Sequence, residues 1–108
     1  MTALNAQVAA FLASLAQHAS PATLDAYRRD LAALETFAQA QGIDDAAQLN
    51  MANLRAFLSS ERNRGLAARS LARRRAALSR FAEDCVTRGI LADNPVTLLR
   101  TPKAPSHL

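Results

Sequence analysis

The 108-residue sequence is poor in residues that cross-link a chain or interrupt its helices. Its single cysteine, Cys85, excludes an internal disulfide and favours a reducing compartment. Only three glycines and four prolines are present, and aromatic residues make up 5% of the chain. The scarcity of helix breakers and of aromatic and β-branched residues argues against a sheet and for an all-α fold.

Sequence signals for membranes and export are also missing. No apolar run approaches the roughly 20 residues that a membrane span requires. Residues 1–18 contain no lysine or arginine, so they lack the basic start of a signal peptide. We therefore expect a cytoplasmic protein with no membrane partner.

Patterns that carry catalysis or bind metal are absent as well. His18 and His107 stand alone, and no set of histidine, cysteine and carboxylate residues has metal-ligand spacing. The sequence has no glycine-rich phosphate loop and no nucleophile elbow. Tyr27 falls on an apolar stripe, which favours a packing role. We predict no cofactor, no metal and no catalytic residue in this chain.

Alanine and leucine dominate what is present, and the apolar residues recur at helical spacing. This pattern predicts a compact bundle of four main helices plus a short C-terminal helix. Thr2, Ser20 and Asn50 are the expected N-caps, and residues 43–49 form a connector with at most one short turn. The predicted helices lie near 3–17, 21–41, 51–63, 67–88 and 95–100.

The end of the chain has a different composition. Pro102 and Pro105 disfavour a helix for themselves and for the residues before them. We therefore divide the chain into a helical domain at 1–100 and an extended linker at 101–108, which leads towards a domain that is absent here.

Charge is distributed unevenly along the chain. Eight arginines and one acid, Glu61, lie between Arg55 and Arg80, whereas the remainder of the chain is net negative. No acid occurs between Arg62 and Phe81. Such asymmetry predicts one surface that meets a polyanion.

Four of those arginines fall within seven residues of the fourth predicted helix, at positions 69, 73, 74 and 75. A helix with a basic face fits the major groove of DNA, and arginine neutralises phosphates. Arg69, Arg73 and Arg80 share one side of this helix, and we expect their side chains to be on the surface and to take no part in the packing of the core. Either Arg74 or Arg75 borders the buried stripe of Leu71, Leu78 and Phe81. The competing interpretation is a solvated helix face.

A weaker basic cluster opens the second helix and comprises Ser20, Thr23, Arg28 and Arg29. Helix N-termini bind phosphate through free N–H groups. Capping together with ordinary surface charge is the alternative explanation, and it is favoured unless the two clusters lie close together.

Three segments resemble a known family. They read Ser20-Pro-Ala-Thr23-x3-Tyr27-Arg28-Arg29-Asp30-Leu31, then Gly65-Leu-Ala-Ala-Arg69-Ser70-Leu71-Ala-Arg73-Arg74, and finally Asn94-Pro95 followed by Pro102-Lys103. In order and separation they are similar to the N-terminal core-binding (SAM-like) domain of Xer-type tyrosine recombinases, of the XerC-like branch. The resemblance covers essentially the whole chain.

The resemblance implies that full-length members cut and rejoin DNA through a tyrosine in a C-terminal domain that this chain lacks. It implies that the N-terminal bundle forms half of a clamp around a recombination half-site, with the second and fourth helices approaching the major groove. Double-stranded DNA and recombinase protomers in a tetramer would be the partners, and the isolated chain would be monomeric. The predicted DNA-binding residues are Ser20, Thr23, Arg28, Arg29, Arg69, Ser70, Arg73, Arg74 and Arg80.

The sequence departs from the family pattern at several positions of the fourth helix. Arg75 replaces an apolar residue, Ser79 replaces an arginine, and Ala67 replaces the usual serine N-cap. Two other functions remain open: a protein-interaction module whose arginine face binds an acidic partner, and a helix-turn-helix regulator. The predicted helices are long for the second alternative.

Overall fold

A computed structural model of the protein describes residues 1–99. Within that range the chain is helical and contains no strand, which confirms the predicted all-α bundle of four main helices. Residues 100–108, including the predicted linker, lie outside the described residues. The helices are α1 (Ala3–Leu15), α2 (Pro21–Gln41), α3 (Met51–Asn63) and α4 (Ala68–Thr87), with a short 3₁₀ helix at Ala46–Gln48.

Side-chain caps fix where three of the four helices begin. The side chains of Thr2, Ser20 and Asn50 each accept a hydrogen bond from the backbone N–H three residues later, as predicted. Helix α4 differs, because its N-cap is Ala67 and no side chain caps it. Helix α2 ends at Gly42, whose φ of +75° is in the left-handed region that favours glycine.

The core lies between the helices and is formed by the apolar stripes that the sequence predicts. The apolar residues at helical spacing in α1 are all buried, namely Leu4, Val8, Phe11, Leu12 and Leu15. Phe11 packs edge-to-face on Phe81 of α4 with ring centroids 5.7 Å apart. Phe37 of α2 lies against Phe57 of α3 at 5.3 Å. One pair joins α1 to α4 and the other joins α2 to α3, so each of the four helices contributes an aromatic ring to the packing. No helix of residues 1–99 has the length and apolar character needed to cross a membrane.

The end of the described chain is a turn where the sequence predicts a short helix over 95–100. Residues 95–98 form turns, and the Leu99 N–H donates to the Val96 carbonyl at 3.0 Å. The Asn94 side chain accepts from the Val96 N–H at 2.9 Å, which gives the backbone a local partner in place of a continuing helix. Val96 and Leu99 are buried, so this turn closes one end of the core.

Candidate nucleic-acid interface

An exposed basic face runs along α4. Arg69, Arg73 and Arg80 are all exposed, and spacings of four and seven residues put them on one side of a helix with 3.6 residues per turn. Leu71, Leu78 and the other buried apolar residues of α4 lie on a different side. We call the three exposed arginines the α4 basic face.

Helix α2 lies beside this face and runs antiparallel to α4. The Arg80 guanidinium lies 5.8 Å from the ring centroid of Tyr27, a cation–π distance, while Asp30, further along α2, contacts Arg73, earlier in α4. Thr23 lies one helical turn before Tyr27, so the start of α2 is close to the Arg80 end of the α4 basic face. The structure thus brings part of the two predicted basic clusters together.

A buried carboxylate lies beneath the α4 basic face. Asp30 is fully buried, and its two oxygens accept from Nε and Nη2 of Arg73 at 3.1 and 2.9 Å. Its Oδ1 also accepts from Nε of Arg74 at 3.2 Å. The hydrogen bonds and the negative charge of Asp30 raise the pKa of Arg73 above its usual value. A buried acid paired in this way requires both arginines, because an unpaired buried charge is costly.

A second acid extends the cluster to α3. Glu61 is also buried; it pairs with Arg74 and accepts from Nη1 of Arg64 at 3.2 Å. Asp30, Glu61, Arg73, Arg74 and Arg64 therefore form one network that joins α2, α3 and α4. We refer to these five residues as the buried ion network.

Two of the predicted DNA-binding residues, Arg73 and Arg74, belong to this network and pair with buried acids. The expectation that Arg73 is free of the fold is wrong, since its guanidinium pairs with a buried acid, although 44% of its side chain is exposed. The Arg74 side chain is only 10% exposed and both of its partners are buried acids. Arg74 is therefore the arginine that borders the core stripe most closely, and it lies apart from the α4 basic face.

The predicted residues of α2 do not share one surface. Ser20 and Thr23 are hydrogen-bonded to each other at the helix start. Arg29 is exposed and pairs with Asp25 one turn earlier, a surface pair that contributes little to stability. Arg28 lines a groove between α1 and α2 with Leu12. Because residues two apart are about 200° apart around a helix, Arg28 lies nearly opposite Asp30. Arg28 is thus on the side of α2 away from α4.

Arg75 has a role that the sequence did not predict. Its Nη2 donates to the backbone carbonyls of Val96 and Leu99 at 3.2 and 2.5 Å. Its Nε is buried and has no hydrogen-bond partner within residues 1–99. The signal in the sequence was the departure itself, since a charged residue stands where the family pattern has an apolar one.

Other charged groups complete the description of the surface. Ser70, in the first turn of α4, is partly buried. Arg55 and Arg62 are exposed, and a spacing of seven puts them on one side of α3. No group of three or more potential metal ligands occurs within the described part of the chain.

Comparison with known proteins places this geometry in a family. Residues 8–89 match the family described as phage integrase, N-terminal SAM-like domain. The chain is 63% identical over 105 residues to the tyrosine recombinase XerC of Chromohalobacter salexigens, a match that covers 97% of this chain and 35% of that protein. It is 48% identical over 100 residues to the tyrosine recombinase XerC of Xanthomonas campestris pv. campestris, covering 91% of this chain and 31% of that protein. No solved structure matches the chain.

These relatives are much longer than the present sequence, which spans about a third of their length. The family match nevertheless includes α2, α3 and α4 in full, and with them the α4 basic face and the buried ion network. The predicted resemblance is confirmed at this level: the chain belongs to the phage integrase N-terminal SAM-like family and is similar to the N-terminal part of XerC tyrosine recombinases.

Proposed function

We propose that this chain is the DNA-gripping arm of a site-specific tyrosine recombinase and that it closes half of a clamp around a recombination half-site. The observation that carries the proposal is the α4 basic face: three exposed arginines on one side of a helix, beside the start of α2, in a chain of this family. Phosphates attract fixed cations that can also donate hydrogen bonds, and arginine does both.

The dimensions of α4 suit a DNA groove. Arg69 and Arg80 are eleven residues apart, which corresponds to about 16 Å along a helix axis. The major groove is about 12 Å wide. A helix lying across it can therefore place its outer arginines near the phosphates of both groove walls, while Arg73 lies between them. The uncapped N-terminus of α4 adds free backbone N–H groups beside Arg69.

The proposed contacts follow from the positions of the side chains. Arg28 and Arg74 are left out of the direct contacts, because Arg28 lies on the α1 side of α2 and Arg74 is buried. Both were predicted as contacts from the sequence. The proposed set is Ser20, Thr23, Arg29, Arg69, Ser70, Arg73 and Arg80.

The wider activity belongs to the same proposal. In the full-length protein the tyrosine nucleophile would lie in a C-terminal domain, and four protomers would assemble on DNA. The present chain would bind double-stranded DNA without cutting it, as a monomer and with no cofactor. Incubation with a supercoiled plasmid that carries a recombination site tests this, because relaxation or a covalent adduct would contradict it.

A helical module that binds an acidic protein remains the alternative, since the α4 basic face would also attract carboxylates. The two functions differ in their partner. DNA binding predicts that a random 30-base-pair duplex competes far better than poly-glutamate of equal charge. Equal competition would favour the acidic protein partner.

The deciding experiment is a fluorescence-anisotropy titration of a labelled duplex at several salt concentrations. With four arginines on phosphates, log K should fall against log[salt] with a slope of about −4. Arg69→Ala should make that slope shallower by about one. Arg88→Ala is the matched control, because Arg88 is an exposed arginine at the opposite, C-terminal end of α4, where it pairs with Asp84. A slope near zero would contradict the proposal.

A further inference from the structure

We propose that Asp30 is a positioning residue for DNA binding: its buried carboxylate aims the Arg73 guanidinium outward from the α4 basic face towards a phosphate. This inference rests on the proposed function. An acid is the type of residue least expected at a phosphate-binding surface. Here Asp30 would hold the Arg73 guanidinium that contacts the phosphate.

The geometry of the pair leaves donors free for a second anion. An arginine side chain has five N–H donors. Asp30 takes one from Nε and one from Nη2 of Arg73, as a two-pronged contact at 3.1 and 2.9 Å. The Nη1 group has no acceptor among residues 1–99. Asp30 is fully buried whereas Arg73 is 44% exposed, so the unused donors belong to the part of the pair that reaches solvent.

The carboxylate is itself held in place from two other sides. Its Oδ1 accepts from Nε of Arg74, and Arg74 in turn pairs with Glu61 of α3. Arg74 therefore keeps the Asp30 carboxylate in place when the Arg73 side chain changes conformation. A guanidinium held in its binding orientation loses less side-chain freedom when it meets a phosphate, and this lowers the entropic cost of binding.

The charge of the cluster also favours an additional anion. In the buried ion network two carboxylates face three guanidiniums, so one positive charge is left uncompensated. Arg74 is buried with both acids, and Arg64 follows the last residue of α3, whereas Arg73 is on the α4 basic face. The network as a whole thus keeps one positive charge, and Arg73 is its member on the surface where the phosphate would be.

Positioning and simple electrostatics predict opposite changes in DNA affinity for the substitution Asp30→Asn. Asp30→Asn removes a negative charge from beneath a phosphate-binding surface, and Coulomb attraction alone would then tighten DNA binding. Positioning predicts weaker binding, because an amide presents one oxygen and one NH₂ group and cannot accept both donors of Arg73.

The test is a double-mutant cycle of Asp30→Asn and Arg73→Ala, measured by anisotropy at 10 °C on variants whose circular dichroism shows them to be folded. In the parent background Asp30→Asn should weaken binding about three- to tenfold, a coupling typical of residues in contact. In the Arg73→Ala background the same change should leave binding unchanged or tighten it. Equal or tighter binding by Asp30→Asn in the parent background would overturn the inference.

Arg73→Lys provides a second route if Asp30→Asn does not fold. Lysine keeps the charge but cannot make the two-pronged contact, so we expect affinity to fall about three- to tenfold, the same coupling range, with the salt slope unchanged. Affinity equal to that of the parent would overturn the inference. Absence of salt-dependent binding by the parent itself is a different result, since it would contradict the proposed function.

Discussion

The Arg75 guanidinium donates a hydrogen bond to the Leu99 carbonyl at 2.5 Å and holds the last described turn against α4. The same nitrogen reaches the Val96 carbonyl. The arginine that departs from the family pattern thus contacts the backbone of its own chain and is not part of the α4 basic face. It therefore ties the turn at residues 95–98 to α4.

Arg75→Leu should loosen that turn without unfolding the bundle. Two hydrogen bonds are lost, but the buried, unpartnered Nε is removed as well, so the free energy of unfolding should change by no more than about 1 kcal/mol. Amide hydrogen exchange should become faster at Leu99, whose N–H bonds within the turn. The control is Arg69→Leu, which should leave that amide unchanged. Unaltered exchange in Arg75→Leu would show that the arginine does not hold the turn.

Arg73→Ala and Arg69→Ala should both weaken DNA binding but should differ in stability. Arg73 supplies charged hydrogen bonds to buried Asp30, so its removal should lower the free energy of unfolding by about 1.5–3 kcal/mol. Arg69 is exposed and its side chain makes no hydrogen bond or ion pair with any of residues 1–99, so its loss should change stability by no more than about 0.5 kcal/mol. Urea unfolding curves measure both values. Equal stability of the two variants would contradict the structural role of Asp30.

Ala67→Ser should stabilise α4, because this position is an N-cap that lacks a capping side chain. Its ψ of 150° is in the extended region that a capping serine adopts. We expect the free energy of unfolding to rise by about 1 kcal/mol, measured by thermal or urea denaturation. Ala68→Ser, one residue inside the helix, is the matched control and should not stabilise.

Cys85 should be an unreactive thiol in the native state. Burial, followed by the negative charge of Asp84, raises the pKa of Cys85 to about 11 from its ordinary 9.0, and only the thiolate is nucleophilic. Iodoacetamide at pH 8 should therefore modify the native protein slowly and the urea-unfolded protein rapidly.

The same shift predicts a pH dependence of stability. The contribution of the Cys85 thiol to the free energy of unfolding is fully present below pH 9 and is lost progressively between pH 9 and about 11. The loss occurs because the thiol of the unfolded chain releases its proton at a lower pH than the thiol of the folded chain. Cys85→Ala should reduce this alkaline loss, although the smaller side chain lowers stability at neutral pH. A parent and variant with the same loss between pH 9 and 11 would contradict the assignment.

Local signals predicted the helices well, whereas the ion network could not be predicted. Caps and periodicity are properties of neighbouring residues, and the bounds of α2 and α3 agree with the prediction. Helix α1 ends at Leu15, two residues early, where turns begin. Asp30 and Arg73 are 43 residues apart in sequence, so their pairing depends on how α2 packs on α4. For the same reason periodicity could not tell which arginine of α4 is buried.

Arg73 pairs with a buried acid and is also a proposed DNA contact, which has a consequence for mutational scans of this domain. A scan that records only loss of the DNA complex would assign Arg74 to the interface, although its side chain faces two buried acids. A scan that records only loss of folded protein would assign Arg73 to the core. The two residues are adjacent in sequence, and only a paired readout of binding and unfolding at each position separates them. Under the proposed function, substitution of Arg73 would lower DNA affinity and the free energy of unfolding together, whereas substitution of Arg74 would act on folding alone.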